Sequence, residues 1–330
     1  MIIFLKSFFK YYCNAITTVP ALLISSCLLG QLPGELQTPE LVSINRMPMR
    51  NSAFAYENMA MAKQYDREKS ANFFSLNGAW KFNWVKDLNQ RPQNFYEVNY
   101  DDSQWDNFRI PASWEVNGYG LPIYVNQPYD FAGHNLRYGK MNPPYDIPAS
   151  NNPVGSYRKK IMLPAGYKGK QIFLHVGNAK SCLFVWVNGK KVGYSEDSKL
   201  AAEFDITDFV KEGENLIAFQ VYRWSDGSYL ECQDMFRFSG IERDVFVYAT
   251  NKLNLRDTKI EATLDNNYTT GLLSVNTEID NYKWEHGTLS KKDSFRVEAQ
   301  LQDAAGNIVY EDKTKDFKTV LGKYKTDVRF

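Results

Sequence analysis

From about residue 71 the chain alternates short apolar runs with turn residues. Runs of about seven residues that are rich in Val, Ile, Phe and Trp, and bounded by Gly, Pro or Asn, predict β-strands. A two-residue Asn188-Gly189 between two such runs is a strong hairpin signal, while helical periodicity is short and rare. The clearest strand candidates are AWKFNWV (79–85), GSYRKKIMLP (155–164), KQIFLHVG (170–177), SCLFVWV (181–187), KKVGYSE (190–196), NLIAFQVY (215–222) and ERDVFVYAT (242–250). About eight strands at this spacing predict an all-β protein with a jelly-roll β-sandwich over residues 71–250.

A second series of alternating segments begins after Thr250. It includes LNLRDTKIEATL, GLLSVNTEIDN and SFRVEAQLQDAAGNIVYEDKTKDF, in which Ala305-Gly306-Asn307 predicts a hairpin turn. The pattern is typical of an immunoglobulin-like sandwich, a domain of about 100 residues. We therefore expect residues 251–330 to form an incomplete immunoglobulin-like domain.

Two stretches show no regular pattern. Residues 31–70 form an irregular arm with Pro, Met and mixed charge. Residues 115–154 are loop-rich and contain many Tyr and Asn residues, which suit contacts with carbohydrate. Loops of this length are uncommon in compact domains unless they are functional, although a solvated Ω-like loop explains the composition equally well.

The first thirty residues differ from the rest. Lys6 and Lys10 precede the apolar run ITTVPALLISSCLLG. A basic start, an apolar stretch too short to span a membrane and small residues at its end predict a secretory signal peptide over residues 1–30. Ile24-Ser25-Ser26-Cys27 also resembles a bacterial lipoprotein signal, and cleavage near Gly30 is the alternative. The expectation is an exported protein without a transmembrane span, either periplasmic or lipid-anchored to the outer membrane.

Net charge, aromatic content, cysteines and motifs limit the kinds of partner and site to expect. A net charge of +1 gives no electrostatic reason to expect a nucleic-acid partner. Aromatic residues make up 15% of the chain, which fits β-sheet cores and also sugar stacking. Cys182 and Cys232 are the cysteines outside the leader; they are compatible with a disulfide, but the apolar run around Cys182 favours a buried free thiol. The sequence contains no zinc-type ligand spacing and no phosphate-binding glycine motif.

The stretch 223–240, RWSDGSYLECQDMFRFSG, places many charges and rings directly after a strand. Glycoside hydrolysis needs two carboxylates, and the candidate pairs are Glu231 with Asp234 and Glu196 with Asp197. Each pair is close in sequence and could equally lie in a solvated turn, so neither is predicted to be catalytic. Asp234 is better suited to accept hydrogen bonds from sugar hydroxyls or to ligate a hard cation.

Other residues of this region have simpler interpretations. Asp226-Gly227 predicts a turn. Three arginines are expected to bind carboxylates or loop carbonyls, and three rings are expected to pack rather than to bind sugar. These residues are Arg223, Arg237 and Arg243, and Trp224, Tyr229 and Phe236.

RWSDGSYLECQDMFRFSGIERDV resembles the signature of the sugar-binding domain of family 2 glycoside hydrolases, and more narrowly bacterial β-galactosidases of the large lactose-cleaving type. The resemblance covers roughly residues 39–330. β-Glucuronidases and β-mannosidases share the jelly roll but are expected to match residues 223–240 less closely. Supporting segments occur in the expected order: SLNGAWKFNW (75–84), IPASWEVNGYGLPIYVN (110–126), NPVGSYRKKIMLP (152–164) and VWVNGKKVGYSEDSKLAAEFDITDFVKEGENLIAFQV (185–221).

The resemblance implies a galactose-binding-like jelly roll, an immunoglobulin-like domain and then a TIM barrel with both catalytic glutamates. It implies that the barrel and the magnesium ligands are absent from this chain, so no catalytic residue is expected here. Asn126 matches the asparagine that hydrogen-bonds the galactosyl group. Asp234 matches the aspartate that contacts galactosyl hydroxyls and ligates a sodium ion. Cys232 departs from the family pattern, where an acidic residue is common.

We therefore expect the N-terminal part of an exported β-galactosidase that removes terminal β-D-galactosyl residues, with homo-oligomerisation in the full enzyme. The fragment would supply sugar-binding residues to the active site and be inactive alone. The alternatives are a stand-alone carbohydrate-binding module, a segment that completes a separately encoded barrel, and a relative of β-glucuronidases or β-mannosidases.

Overall fold

The fold is nearly all β, as the sequence predicts. The computed structural model describes residues 32–125, 147–282, 294–295, 297–313, 317–318 and 324–329. The predicted signal peptide (1–30) and Asn126 lie outside the described residues.

The first fifteen strands belong to the predicted jelly roll and to the arm that precedes it. They are β1 (Ser43–Ile44), β2 (Phe73–Ser75), β3 (Gly78–Val85), β4 (Asp106–Ile110), β5 (Ala112–Ser113), β6 (Tyr124–Val125), β7 (Val154–Met162), β8 (Gln171–Val176), β9 (Cys182–Val187), β10 (Lys190–Glu196), β11 (Ala202–Asp205), β12 (Glu214–Tyr222), β13 (Met235–Phe236), β14 (Gly240–Ile241) and β15 (Val245–Thr250). A seven-stranded antiparallel sheet has the order β1-β10-β9-β12-β7-β3-β4, and a four-stranded sheet has the order β11-β8-β15-β2.

The second series contains seven further strands in three small antiparallel sheets. These are β16 (Leu253–Leu264), β17 (Gly271–Asn281), β18 (Ser294–Phe295), β19 (Glu298–Gln302), β20 (Ile308–Lys313), β21 (Phe317–Lys318) and β22 (Tyr324–Arg329). Strand β17 lies between β16 and β22, β18 pairs with β21, and β19 pairs with β20 across the predicted turn at Gly306.

The helices of the described residues are single turns. They are α1 (Met59–Ala62), α2 (Ser228–Glu231) and the 3₁₀ turns Gly34–Gln37, Arg67–Lys69, Leu88–Gln90, Glu115–Asn117 and Ala165–Tyr167. None of them is long and apolar enough to cross a membrane.

The core lies between the two large sheets. In β9 the residues facing it are Leu183, Val185 and Val187, and the same cluster contains Leu174 and Val247 from the smaller sheet. Successive residues of a strand point to opposite faces, so every second position of each strand enters this layer. The predicted sandwich is confirmed.

The outer face of the seven-stranded sheet is buried as well. Cys182, Phe184 and Trp186 of β9 pack there with Phe95, from the connection between β3 and β4, and with Leu36 of the arm. Because both faces of β9 are covered, its sequence is an unbroken apolar run instead of an alternating one.

The predicted hairpin at Asn188-Gly189 joins β9 to β10. Both residues have positive φ, 51° and 83°, and Lys190 pairs with Val187. Two-residue turns with this backbone match the twist of the flanking strands, and Asn-Gly adopts them at the lowest steric cost.

A buried carboxylate joins the arm, the sandwich and the second strand series. Glu203 of β11 accepts hydrogen bonds from Arg50 at 2.9 Å and 2.7 Å and from Arg256 of β16 at 3.0 Å, and His175 Nδ1 lies 3.1 Å away. Burial alone would raise the pKa of Glu203, but hydrogen bonds and charges from His175 and Arg50 hold it well below its ordinary value of 4.5.

Replacing this carboxylate tests how much it stabilises the fold. Glu203→Gln keeps the shape but removes the charge that pairs with the half-buried Arg50 and with the buried Arg256, for which Asp280 at 3.9 Å is a more distant partner. The free energy of unfolding at pH 7 should therefore fall by about 3 kcal/mol. Because the folded-state pKa is lowered, the stabilisation is present above pH 4.5 and lost as the pH falls below it. Urea titrations between pH 3 and 7 should show this loss in the wild type and a weaker one in Glu203→Gln. The exposed Glu212→Gln is the control, and equal stability of the two variants would contradict the role of Glu203.

Candidate functional site

The charged stretch after β12 folds back over one end of the sandwich. It forms α2 and then two short strands, of which β13 pairs with β6 and β14 pairs with β5. Phe236 is opposite Tyr124, and Gly240 is opposite Ser113. The C-terminal part of the stretch, from Met235 to Gly240, is therefore joined to residues 112–125.

Arg237 fixes the backbone on both sides of Asp234. Its side chain is fully buried, and its guanidinium donates to the carbonyl oxygens of Gln233 and, at 2.9 Å, of Met235. Its main-chain N–H donates to Ile123 O at 2.7 Å. Since a buried cation is stable only when its donors are bonded, the loop conformation and the position of Arg237 require each other.

A second buried arginine lies beneath the first. The Arg223 guanidinium donates to Arg237 O at 2.8 Å and to Leu121 O at 3.3 Å, and lies 3.7 Å from Glu115 Oε1. Glu115 Oε2 accepts the N–H of Ser239 at 2.9 Å. Burial raises the pKa of Glu115, although Ser239 and Arg223 oppose the rise.

The structural roles predicted for the three arginines are confirmed. Arg223 and Arg237 donate to loop carbonyls as described, and Arg243 donates to Lys199 O at 2.6 Å. Each guanidinium ties two chain segments together, which explains why charged residues are dense in a connection between strands.

Asp234 lies on the surface of this loop. The Tyr124 hydroxyl donates a hydrogen bond to Asp234 Oδ1 across the β6–β13 pair. That bond to the carboxylate raises the pKa of Tyr124, and the negative charge adds to the rise.

The second predicted site residue cannot be placed in the same way, because Asn126 lies outside the described residues. It directly follows Val125, which pairs with Met235, and Met235 directly follows Asp234. The described structure therefore brings together the chain segments that lead to the two predicted residues.

Three rings form an exposed row beside Asp234. Tyr124 and Phe236 are 57% and 52% exposed, their centroids lie 5.3 Å apart, and Phe236 stacks on Phe238 at 5.2 Å. Packing was expected for Phe236, and its ring does pack on Tyr124 and Phe238, although half its surface stays exposed. Trp224 and Tyr229 are buried as predicted.

Neither carboxylate pair considered from the sequence is arranged for catalysis. Glu231 accepts hydrogen bonds from the N–H, at 2.6 Å, and from the hydroxyl of Ser198. Asp197 accepts the N–H groups of Lys199 and Leu200, each at 3.1 Å. Asp197 therefore holds a local turn, which is the simpler of the two interpretations, while Glu231 ties α2 to Ser198 in the connection between β10 and β11.

A buried carboxyl pair was not predicted. Glu196 and Asp226 are each 5% exposed and their carboxyl groups lie in contact, although 29 residues separate them in sequence. Tyr194 donates to Glu196 Oε1 at 2.5 Å, and Gly227 N–H donates to Asp226 Oδ1 at 2.9 Å. The turn predicted at Asp226-Gly227 is thus present. The Asp226 carboxylate also contacts Glu196, which is distant in sequence and is brought close by the fold.

This pair lines a cavity of about 500 Å³, together with Arg46 and Leu230. Burial raises the pKa of Glu196 to about 8, contact with Asp226 adds to the rise and the Tyr194 hydroxyl opposes it. Burial also raises the pKa of Asp226. Two carboxyl groups in direct contact are closer than the roughly 5–9.5 Å that separates the catalytic pair of a glycosidase.

The cysteines of the described region, Cys182 and Cys232, form no disulfide. Cys182 is buried in β9, and burial raises its pKa well above the ordinary value. A thiol with a raised pKa is unreactive, so the interpretation of Cys182 as a buried apolar residue is confirmed.

The described residues contain no group of three or more His, Cys, Asp or Glu side chains that could hold a metal ion. Asp234 provides one exposed carboxylate at the loop surface. It could supply a single oxygen ligand to a hard cation, which needs several.

Comparison with known proteins gives a family match. The model of the glycosyl hydrolases family 2 sugar binding domain matches residues 73–251. A β-galactosidase of Priestia megaterium is 38% identical over 266 residues, and one of Halalkalibacterium halodurans is 37% identical over 284 residues. These alignments cover 81% and 86% of this chain but 25% and 26% of the relatives. The chain therefore spans about a quarter of their length.

Solved structures of other proteins share the fold of this chain. A Bacteroides uniformis β-glucuronidase has a TM-score of 0.58 at 21% identity, covering 78% of this chain and 27% of that one. A β-glycosidase from Bacteroides vulgatus has a TM-score of 0.53 at 21% identity, covering 78% and 29%. Identity at this level supports the fold alone.

The buried carboxyl pair should make stability depend on pH. Because the folded-state pKa of Glu196 is raised from 4.5 to about 8, its favourable contribution is complete below pH 4.5 and is lost as the pH rises through 8. The Gln side chain of Glu196→Gln can donate to Asp226 and does not titrate. Between pH 5 and 9 the free energy of unfolding of the wild type should therefore fall relative to that of the variant by a few kcal/mol, at about 1.4 kcal/mol per pKa unit.

Urea unfolding of both proteins in EDTA measures this difference without a divalent cation replacing the proton. Parallel pH profiles would contradict a shared proton at the Glu196–Asp226 pair.

Proposed function

This chain belongs to family 2 of the glycosyl hydrolases, and we propose from that premise that it is the sugar-binding N-terminal part of a β-galactosidase. The enzyme would remove terminal β-D-galactosyl residues from carbohydrates. Relatives named β-galactosidase that are 37–38% identical over more than four-fifths of the chain support the assignment.

The observation that supports sugar binding is the exposed carboxylate of Asp234 on a loop held by a buried arginine. Asp234 is flanked by two carbonyls bonded to the buried Arg237 guanidinium. A carboxylate is an acceptor without a donor of its own, so it binds hydroxyl groups in a fixed orientation. Asp234 and Asn126 would each hydrogen-bond the galactosyl group.

The charge of Asp234 favours a neutral sugar. A glucuronic acid residue would bring a second carboxylate to a loop whose exposed charge is already negative, and like charges in contact are unfavourable. The similar β-glucuronidase structure is 21% identical, which supports a shared sandwich and not a shared substrate.

Retaining hydrolysis needs two carboxyl groups about 5–5.5 Å apart, one as nucleophile and one as general acid and base. Glu231 is bonded to Ser198 and Glu196 contacts Asp226, so we assign neither of them to such a pair. The chemistry would belong to the part of the enzyme that corresponds to the remaining three quarters of the relatives. This chain would bind and orient the sugar.

A sodium ion fits this role in part. Asp234 would supply one oxygen ligand, and the ion would provide positive charge near the bound hydroxyl. The other ligands would come from elsewhere in the full enzyme, as would those of a magnesium ion. Export by the signal peptide, to the periplasm or to a lipid anchor on the outer membrane, and homo-oligomerisation of the full enzyme are further parts of this proposal.

The rival from another class is a stand-alone carbohydrate-binding module, and a segment that completes a separate barrel is a second rival. Sequencing the gene beyond codon 330 separates them. An in-frame barrel with two glutamates supports an enzyme, while a stop codon followed by unrelated sequence favours binding or complementation.

A chimera tests the proposal on this chain. The segment of the Priestia megaterium relative that matches this chain is replaced by residues 32–330, and hydrolysis of a chromogenic β-galactoside is measured. We expect turnover clearly above the relative lacking that segment. A chimera with the mass and melting temperature of an assembled enzyme but without turnover would contradict the proposed function.

Within the chimera, Asp234→Ala should raise KM and lower kcat, with kcat/KM falling about 100-fold. A hydroxyl contact that tightens in the transition state acts on both constants. Glu212→Ala, an exposed acidic residue paired with Lys168, is the matched control and should change kcat/KM less than twofold. Unchanged kinetics of Asp234→Ala would remove this residue from the site.

The purified 330-residue chain should not hydrolyse the same substrate, because the two catalytic carboxyl groups are proposed to lie in the part of the enzyme that corresponds to the remaining three quarters of the relatives. The measurement is product release over many hours against an empty-vector preparation. Reproducible activity in the chain alone would contradict its assignment to sugar binding without catalysis.

A further inference from the structure

Asp234 is exposed, and an exposed aspartate normally samples several side-chain rotamers. In this structure one direction is selected, because Tyr124 Oη donates to Asp234 Oδ1. A carboxylate has two oxygens and about four acceptor positions. The tyrosine engages one oxygen, so the orientation of the group is defined by its neighbour as well as by its backbone.

The position of the tyrosine hydroxyl is itself determined by packing. Tyr124 is paired with Phe236 across the β6–β13 strands, and their rings are in contact at 5.3 Å. Phe236 in turn stacks on Phe238 with ring planes 5° apart. This row of three rings limits the directions in which the Tyr124 hydroxyl can point.

The backbone carrying the acceptor is held separately. Arg237 bonds the carbonyls of Gln233 and Met235 on either side of Asp234, and its main-chain N–H bonds Ile123 O, next to Tyr124. The guanidinium thus holds the segment that carries the carboxylate, and the main-chain N–H of the same residue links that segment to the one that carries the hydroxyl.

We propose that Tyr124 is a positioning residue for Asp234, whose hydroxyl orients the carboxylate so that Oδ2 accepts a hydrogen bond from the sugar. This inference rests on the proposed function, since it presupposes that Asp234 binds substrate. Tyr124 acts through Asp234 and contacts no reacting atom. Removing its hydroxyl frees the carboxylate to rotate, and the sugar then has to order it on binding.

The hydrogen bond is measured first in the 330-residue chain, independently of activity. Tyrosine labelled with ¹³C at Cζ gives an NMR signal for each phenol at pH 7, and the signal missing from Tyr124→Phe identifies Tyr124 among the 21 tyrosines. The Tyr124 hydroxyl donates to Asp234 Oδ1, so Asp234→Ala removes the acceptor and should shift this signal. An unchanged signal would overturn the inference at its geometric basis.

Kinetics in the chimera test the positioning role. Tyr124→Phe keeps the ring and removes the hydroxyl, and kcat/KM should fall about tenfold, as for one lost hydrogen bond to a charged group. Tyr268→Phe, at an exposed hairpin tip in the second strand series, is the matched control and should have no effect.

A double-mutant cycle separates positioning from a general structural role. In the Asp234→Ala background, Tyr124→Phe should cost less than twofold, because the group it orients is gone. With a panel of monodeoxy galactosides, both single variants should lose their effect on the same analogue, the one lacking the hydroxyl that Asp234 binds. Equal losses on every analogue, or a full tenfold loss in the Asp234→Ala background, would overturn the inference.

The failures of the two proposals are distinguishable. If Asp234→Ala leaves kcat/KM unchanged, the proposed sugar contact fails and the role of Tyr124 fails with it. If Asp234→Ala is strongly impaired and Tyr124→Phe is not, the sugar contact stands and only the inference about Tyr124 is overturned.

Discussion

The buried guanidinium of Arg237 is the interaction on which the loop around Asp234 depends. It has no solvent exposure, and bonds to Gln233 O and Met235 O are part of what satisfies its charge. A second guanidinium, that of Arg223, donates to Arg237 O. Because unbonded buried cations are strongly unfavourable, the bonds of these two guanidiniums to loop carbonyls favour the loop conformation seen here, and in that conformation Asp234 is presented to solvent.

Hydrogen-bonded arginines also join the arm and the second strand series to the sandwich. Glu203 bonds Arg50 of the arm and Arg256 of the second strand series, while the sandwich is held by apolar layers on both faces of its seven-stranded sheet. Apolar contacts supply most of the stability and are non-directional. The hydrogen bonds of paired arginines and carboxylates are directional, and they determine how the arm and the loop lie on the sandwich.

The sequence predicts those parts of the fold whose signal is local. The strand β9 and the turn at Asn188-Gly189 are recognisable from the sequence. Burial of both faces of a strand requires an unbroken apolar run, and positive φ in a two-residue turn favours Asn-Gly. Strand β11 was missed because Ala202 and Phe204 alternate with Glu203 and Asp205 over only four residues. The Glu196–Asp226 pair and the Tyr124–Asp234 bond join residues 29 or more positions apart, so no local pattern indicates them. The exposure of Phe236 depends likewise on which surface the folded loop leaves uncovered.

The central claim is that this sandwich presents Asp234 to a galactosyl group. The most direct measurement is a crystal structure of the chimera with galactose bound. The account predicts one Asp234 oxygen within about 3 Å of a galactose hydroxyl, with the Tyr124 hydroxyl bonded to the other oxygen. Galactose bound in the active site without a contact to Asp234 would contradict it.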